Sequence, residues 1–483
     1  MKLFALGSLG FGLATVALMA CSGDDGSPGG PGKDGVGTPG KDGTATGGGG
    51  GASLNGVTPG SVFLARKATI SISGNGTTWT KDKPPTVDFG DAAIKVDKVE
   101  VASPTALIAS ITAGQTAKTG AHTVKVGDQS YEGFQVASPI EVTVSGKATQ
   151  GSLVLVTVKN KDVQNPFDTS ATGDGLFSPK RFTGVEAAVL DGAKPSERVS
   201  FSVGDIQPYA ATFTVAIDVD AKVAKSDIII ASGSTKDVTP FVAPASLDIA
   251  AATAKPLTGA TTTSPIGTAF TSTLFETTPA AESLNIFTIA AAAGAPAGAA
   301  PSVFILPAPG HFADATQGSA TAPATFLQEA AAKAFVVVED LGGKASYNFT
   351  LTNTSSVAAQ SLAEVDANNT AATAQLATAF PFLLKGAKLA SAADEDWVKV
   401  TAPGAKKLRV RTFGGDAQAD PVVEVRDADG VASIATSKDE NFHEDLLTPS
   451  NLAAGTYYVR VTASPAAAPA AGAEKYVLWL NFE

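Results

Sequence analysis

Six side chains of this sequence, by type and spacing, could hold a hard cation. Glu364, Asp366, Asn368 and Asn369 crowd one short segment, and Asp394 and Asp396 follow as alternate residues. Calcium takes about six to eight oxygen ligands from carboxylates, amides and backbone. Residues two apart on a strand share a face, so Asp394 and Asp396 would point the same way. Gathered acids repel, and a bound Ca²⁺ would offset that cost. The plainer reading is solvated surface acid, ordinary for a chain of net charge −11. Asp218 and Asp220 repeat the alternation beside a turn, but no further ligand set accompanies them, so a solvated face is expected there.

Catalytic chemistry finds little support. The three histidines, His122, His311 and His443, fall far apart, with no second ligand or nucleophile at motif spacing. HExxH, GxSxG and GxxxxGK[ST] are all absent. Asp394 and Asp396 could serve a glycosidase as a carboxylate pair, but no cleft-lining aromatics accompany them. No catalytic residue is assigned, and a hydrolase reading survives only through the unassigned stretch 139–246.

Composition says what must carry these residues. At 483 residues the chain has room for about three or four domains. With 49 Gly, 28 Pro and many short β-branched runs, it is expected to be all-β and turn-rich. The acidic balance argues against nucleic acid, which is bound through Lys and Arg. It also disfavours an anionic membrane face, leaving lipid attachment as the expected membrane contact. Cys21 is the sole cysteine, so no disulfide can form within the chain.

The N-terminus supplies that attachment. Lys2 precedes an apolar run from Leu3 to Met19, which ends in Leu18-Met19-Ala20-Cys21. This ending resembles the lipobox of bacterial lipoproteins. The resemblance implies cleavage of residues 1–20 as a signal peptide and acylation, palmitate included, of Cys21. Ser22, in place of an Asp, implies sorting to the outer membrane. An uncleaved membrane anchor is the alternative, since the run nearly reaches spanning length. Residues 21–52 follow as a tether. Glycine recurs every third residue from Gly23 to Gly35, slips at Gly37 and resumes at Gly40 and Gly43. The tract resembles collagen, but a few interrupted triplets suit a flexible spacer better than a lasting trimer.

Four β units are expected beyond the tether. Residues 53–138 carry Val57-Thr58-Pro59-Gly60-Ser61, the strand Ala68–Gly74, Thr86-Val87-Asp88-Phe89-Gly90 and Gly120–Val126. That order resembles the immunoglobulin-like IPT/TIG family, which implies a spacer or protein-binding module. Residues 139–246 hold strands at Ile140–Val144, Ser152–Val158, Ser200–Val203, Ala211–Ile217 and Asp227–Ile230. Residues 247–358 and 359–483 read as a repeat. Glu282–Ile289 is matched with Asp394–Val400, Pro301–Leu306 with Pro421–Arg426, Ala334–Val338 with Tyr457–Val461, and Tyr347–Leu351 with Tyr476–Leu480. A helical turn is expected over Gln328–Lys333.

The last unit resembles the bacterial pre-peptidase C-terminal (PPC) domain through Asp394-Glu395-Asp396-Trp397, Asp427-Ala428-Asp429-Gly430 and Ala454–Val461. The third unit keeps the strands but lacks the acids, so it reads as a degenerate copy. The resemblance implies metal ligands from the acidic opening segment and the Asp-x-Asp strand in some members. It also implies a role in secretion, surface display or matrix binding. The whole is therefore expected to be a non-catalytic, surface-displayed envelope lipoprotein of tandem β-sandwiches. Its expected role is adhesion or scaffolding, with an envelope or extracellular protein or polysaccharide as ligand. An accessory of a secretion or proteolysis system, presenting a separate enzyme, is the alternative. Calcium is the one cofactor considered, and residues 359–483 are expected to fold alone.

Overall fold

A computed structural model describes residues 51–169, 183–191, 194–234, 237–267, 270–340, 343–344, 346–391, 393–414, 421–437, 444–463 and 474–483. Cys21, the tether and His443 lie outside the described residues. Eight sheets pair into four sandwiches. The helical element among the described residues is one 3₁₀ turn, Phe312–Asp314. None of their helices is long and apolar enough to cross a membrane.

In the first sandwich, one sheet orders Ser53–Thr58, Lys67–Asn75, Ala106–Ala113 and Ile94–Ser103. The other orders Ser61–Phe63, Gln129–Ala137, Gly120–Val126 and Val87–Asp88. Alternation places Ile70, Ile72, Leu107 and Ile111 against Val124, Phe134 and Val136, with Phe89 edge-on to Phe134 at 4.9 Å. The second sandwich pairs Val199–Gln207, Ala210–Ile217, Ser152–Asn160 and Ile140–Ser145 with a sheet of Lys194–Pro195, Thr183–Asp191, Lys225–Ser234 and Asp237–Asp248. Ile249 joins its core and Ala250 bridges to Thr149, so the unit runs slightly past residue 246.

The third and fourth sandwiches share one topology, and the fourth adds a strand. One sheet runs Lys255–Pro256, Thr273–Thr277, Ala334–Asp340, Pro301–Pro307 and Thr316–Ser319. Its counterpart runs Gln375–Ala377, Glu395–Ala402, Gly455–Ala463, Pro421–Arg426 and Ser433–Thr436. The first pair is parallel in both, and the rest are antiparallel. The second sheet runs Thr261–Ile266, Tyr347–Val357, Ser283–Ala291 and Ala324–Gln328. Its counterpart runs Phe382–Leu389, Glu474–Phe482, Leu408–Gly414 and Asp445–Leu447, with Gln360–Ala363 added at the edge.

This corrects one pairing of the repeat. Ser283–Ala291 corresponds to Leu408–Gly414, and the counterpart of Glu395–Ala402 is Thr273–Thr277. The acidic Asp394–Asp396 stretch drew attention to the wrong apolar strand, because strand order is a property of the sheet and not of spacing alone. The other three pairings hold. The helical turn over Gln328–Lys333 is also absent. Residues 324–328 are a strand paired with 283–287, and Gln328 turns its side-chain amide onto the Ala330 carbonyl.

The sandwiches stack on one another, the second on the third and the third on the fourth by their sheet faces. Ile229 and Val242 of the second turn away from their own core onto the first. Leu153, Ala216 and Val219 of the second meet Leu274, Phe304, Leu306 and Val337 of the third. Leu284, Ile286 and Leu327 of the third meet Leu383, Phe413, Val477 and Trp479 of the fourth, so equivalent sheets of the two copies pack on each other. The first–second and third–fourth junctions also carry a polar pin. Arg66 donates to Asp162 Oδ2 at 2.6 Å and to the Pro240 carbonyl at 2.8 Å, with its guanidinium 4.8 Å from the Phe241 ring centre. Lys385 pairs with Glu282, which also accepts from Ser361 at 3.1 Å. Sequence announces these junctions as unbroken apolar runs, such as Ile228–Ile230 and Val303–Leu306. Strands covered on both faces lose their polar alternation.

The sheet of the fourth sandwich that faces away from the third carries an ionic outer face. Arg426 and Arg460 stand 5.6 and 5.8 Å from the Trp397 ring centre. Glu424 pairs with both arginines, and Glu395 pairs with Arg460. The guanidiniums thus cover the tryptophan and make this face polar.

Candidate functional site

The fourth sandwich gathers most of the expected cation ligands at one edge. The added strand Gln360–Ala363 delivers the chain to Glu364, whose N–H donates to the Lys385 carbonyl at 3.0 Å. A turn closed by Asn368 N–H on the Val365 carbonyl at 3.1 Å follows. Trp397 N–H then donates to the Asn368 carbonyl at 2.9 Å, tying that turn to the strand that carries Asp396.

Asp396 and Asn368 are each 1% exposed. With its amide nitrogen donating, Asn368 reaches Asp396 Oδ1 and the Val365 carbonyl, each at 3.0 Å. Tyr476, on the facing sheet, donates to Asp396 Oδ2 at 2.6 Å. Burial pushes the Asp396 carboxyl up to about 6, and the charge of Asp394 adds to it. Hydrogen bonds from Tyr476, Glu364 and Asn368 pull the other way. Glu364 is pushed up to about 7, first by burial and then by the charges of Asp396 and Asp366, and it hydrogen-bonds to both. Burial and the Asp396 charge keep the Tyr476 hydroxyl far above its usual range.

The remaining candidates divide. Asp366 pairs with Lys388 at 3.4 Å. Asp394 precedes the strand and accepts from the N–H of Ala390 at 2.7 Å and of Glu395 at 3.1 Å. Asn369 is exposed beyond the turn and does not join the cluster, which corrects its place among the expected ligands. Asp396 is enclosed with Tyr476 rather than lining a cleft. The donors left are oxygens, four of them the carboxylates of Glu364, Asp366, Asp394 and Asp396. That set fits a hard cation of the calcium type.

A second constellation was not legible as such in the sequence. Asp218 and Asp220 of the second sandwich meet His311 of the third, so the alternate acids are not simply a solvated face. His122, by contrast, sits against the carbonyls of Lys118 and Phe89 at 2.7 and 3.3 Å.

No protein-family model matches the chain, and no curated protein matches it. Among solved structures, the pre-peptidase C-terminal domain of a collagenase from Bacillus anthracis is 16% identical. It covers 22% of this chain and 94% of its own, with a TM-score of 0.19. The I9–I11 tandem of titin is 10% identical, over 56% of this chain and 95% of that one, with a TM-score of 0.17. The Yersinia pseudotuberculosis adhesin InvE is 14% identical, over 40% of this chain and 57% of that one, at 0.14. These likenesses are local. The tandem β-sandwich fold stands on the paired sheets themselves.

Proposed function

We propose that the chain is a non-catalytic envelope lipoprotein, attached through acylated Cys21 to the outer membrane and displayed at the cell surface. In this reading the stacked sandwiches form a stalk for adhesion or scaffolding. The observation that carries it is the stacking of four sandwiches, each junction closed by apolar side chains. Such a stack transmits position and holds a binding surface away from its anchor. A groove of about 620 Å³ between Leu376, Phe380, Pro403 and Phe482 has Lys406 as the charged member of its lining, which suits contact better than acid–base chemistry. Envelope proteins or polysaccharides are the partners this reading calls for.

The decisive experiment is affinity capture from envelope extracts on the unlipidated protein, alongside assays of peptide and glycoside turnover. A stable partner with no turnover is expected. Turnover that depends on residues 139–246 would overturn the reading, and specific capture of a secreted protease would replace scaffolding with an accessory role. Palmitate labelling tests the anchor: it should vanish in Cys21→Ser, and unchanged labelling would remove the lipoprotein assignment.

Calcium belongs to the same proposal. Glu364, Asp366, Asp394 and Asp396 would hold it, and its charge would offset their mutual repulsion. Millimolar calcium should raise the Tm of the fourth sandwich within the full chain, and Asp396→Asn should reduce the increment. An unchanged melting curve would leave these residues as an acid cluster.

A further inference from the structure

We propose that Asp218, Asp220 and His311 form a binding site for a divalent transition metal of the zinc class, which locks the second sandwich to the third. His311 Nε2 lies 3.2 Å from Asp220 Oδ2. One ligand atom from each of the three residues falls within 4.8 Å of the others. Ligands sharing one zinc at about 2.0–2.1 Å stand roughly 3.3 Å apart in a tetrahedron, so small closures bring these atoms onto a common ion.

The backbone holds the two sides in place. Asp218 is 6% exposed, and its Oδ1 accepts the Phe312 N–H at 2.8 Å. Val219 N–H donates to the Gly310 carbonyl at 3.0 Å. Gly310 has φ +104°, and a Cβ there would come within 2.7 Å of Val219. Glycine therefore permits the close approach that carries His311 to the acids.

The surroundings match the charge and the ring orientation a metal requires. Asp218, Asp220 and Asp314 supply three negative charges and Arg198 one positive, which leaves two negative charges for a divalent ion. Nε2 faces Asp220, while Asp314 Oδ2 stands 3.7 Å from Nδ1. A carboxylate behind the far nitrogen is the arrangement that orients a metal-bound imidazole.

Arg198 is the competitor. Its Nη1 stands 3.3 Å from His311 Nδ1, and its Nε stands 3.3 Å from Asp220 Oδ2. With Nε2 given to a metal, the ring would direct Nδ1–H at Asp314, and Arg198 would have to leave Nδ1. One imidazole nitrogen with two carboxylates suits zinc or cobalt better than calcium.

The test is a titration of the full chain with Zn²⁺, read by Tm, and with Co²⁺, read by visible absorption. Zinc should raise the Tm, and cobalt should give a ligand-field band that zinc abolishes. Asp220→Asn, at a half-exposed position where the fold tolerates the change, should lose both responses, and His311→Ala should lose the cobalt band. Arg198→Gln should shift the titration several-fold toward lower metal, while Glu364→Gln should leave it unchanged. The proposal fails if neither metal produces a response, or if the responses survive Asp220→Asn or are lost in Glu364→Gln.

Discussion

The third and fourth sandwiches are one topology with opposite surfaces, and the difference lies on equivalent residues. Val303 pairs with Val338, which pairs with Thr273; Val423 pairs with Val461, which pairs with Asp396. That register places Leu274 where the fourth unit has Trp397, and Val337 where it has Arg460. Phe304 stands where it has Glu424, and Leu306 where it has Arg426. In the third unit this face is apolar because the second sandwich covers it. In the fourth it is an ionic lattice over a tryptophan. A sheet face takes its chemistry from its neighbour, while the core beneath changes little.

The buried tyrosine makes the same point. Tyr347 donates to Asp340 Oδ2 and Tyr476 to Asp396 Oδ2, both at 2.6 Å. The two acids occupy different strands of equivalent sheets, so the hydrogen bond persists while its donor's partner has moved. Only the fourth unit adds the strand that brings Glu364 and Asp366 alongside, and Thr273 stands where Asp396 would be needed.

The largest expected effect comes from giving the third unit the fourth unit's surface. Leu306→Arg places a charge in the closed junction with the second sandwich and should cost on the order of 5 kcal/mol, measured by denaturant unfolding. A cost near zero would mean that the junction opens freely. Next is Trp479→Ala. Trp479 is 2% exposed and faces the third unit, so the variant should lose about 3–5 kcal/mol. For the same reason, residues 359–483 in isolation keep their own core but uncover Leu383, Val477 and Trp479. This fragment should melt below the same unit in the whole chain; equal melting would break the stacking.

A third test sets the junction's buried acid against the solvent-facing network. Glu339, 1% exposed at the second–third junction, accepts from Ser272 Oγ at 3.0 Å, and burial raises its carboxyl from 4.5 to about 8. The folded state thus binds this proton more tightly than the unfolded chain does. The stabilisation is fully present below pH 4.5 and fades as pH rises through about 8. Glu339→Gln stays neutral and should remove this loss, worth up to roughly 4 kcal/mol at alkaline pH. Equal slopes of stability against pH between 4.5 and about 8 for the two proteins would count against the buried charge. The smallest effect is expected from Arg426→Leu, the reciprocal of the first substitution. It removes one partly exposed ion pair and one cation–ring contact, and should cost about 1 kcal/mol or less.

Sequence alone determined the class and most strands, because alternation and turn residues are local. Gly120–Val126 was legible to the residue, and the acids of the last unit were visible as a group. It also contained the stacking, as apolar runs such as Val303–Leu306, although a run does not name what covers it. Tertiary structure decided the rest. It aligned the duplication as Thr273–Thr277 with Glu395–Ala402, since pairing partners lie far apart in the chain. It left Asn369 outside the acid cluster and enclosed Asn368 with Asp396. It also carried His311 to Asp220, 91 residues away. Spacing along a chain reports which residues share a strand face; which faces meet is fixed by packing whole sandwiches against one another.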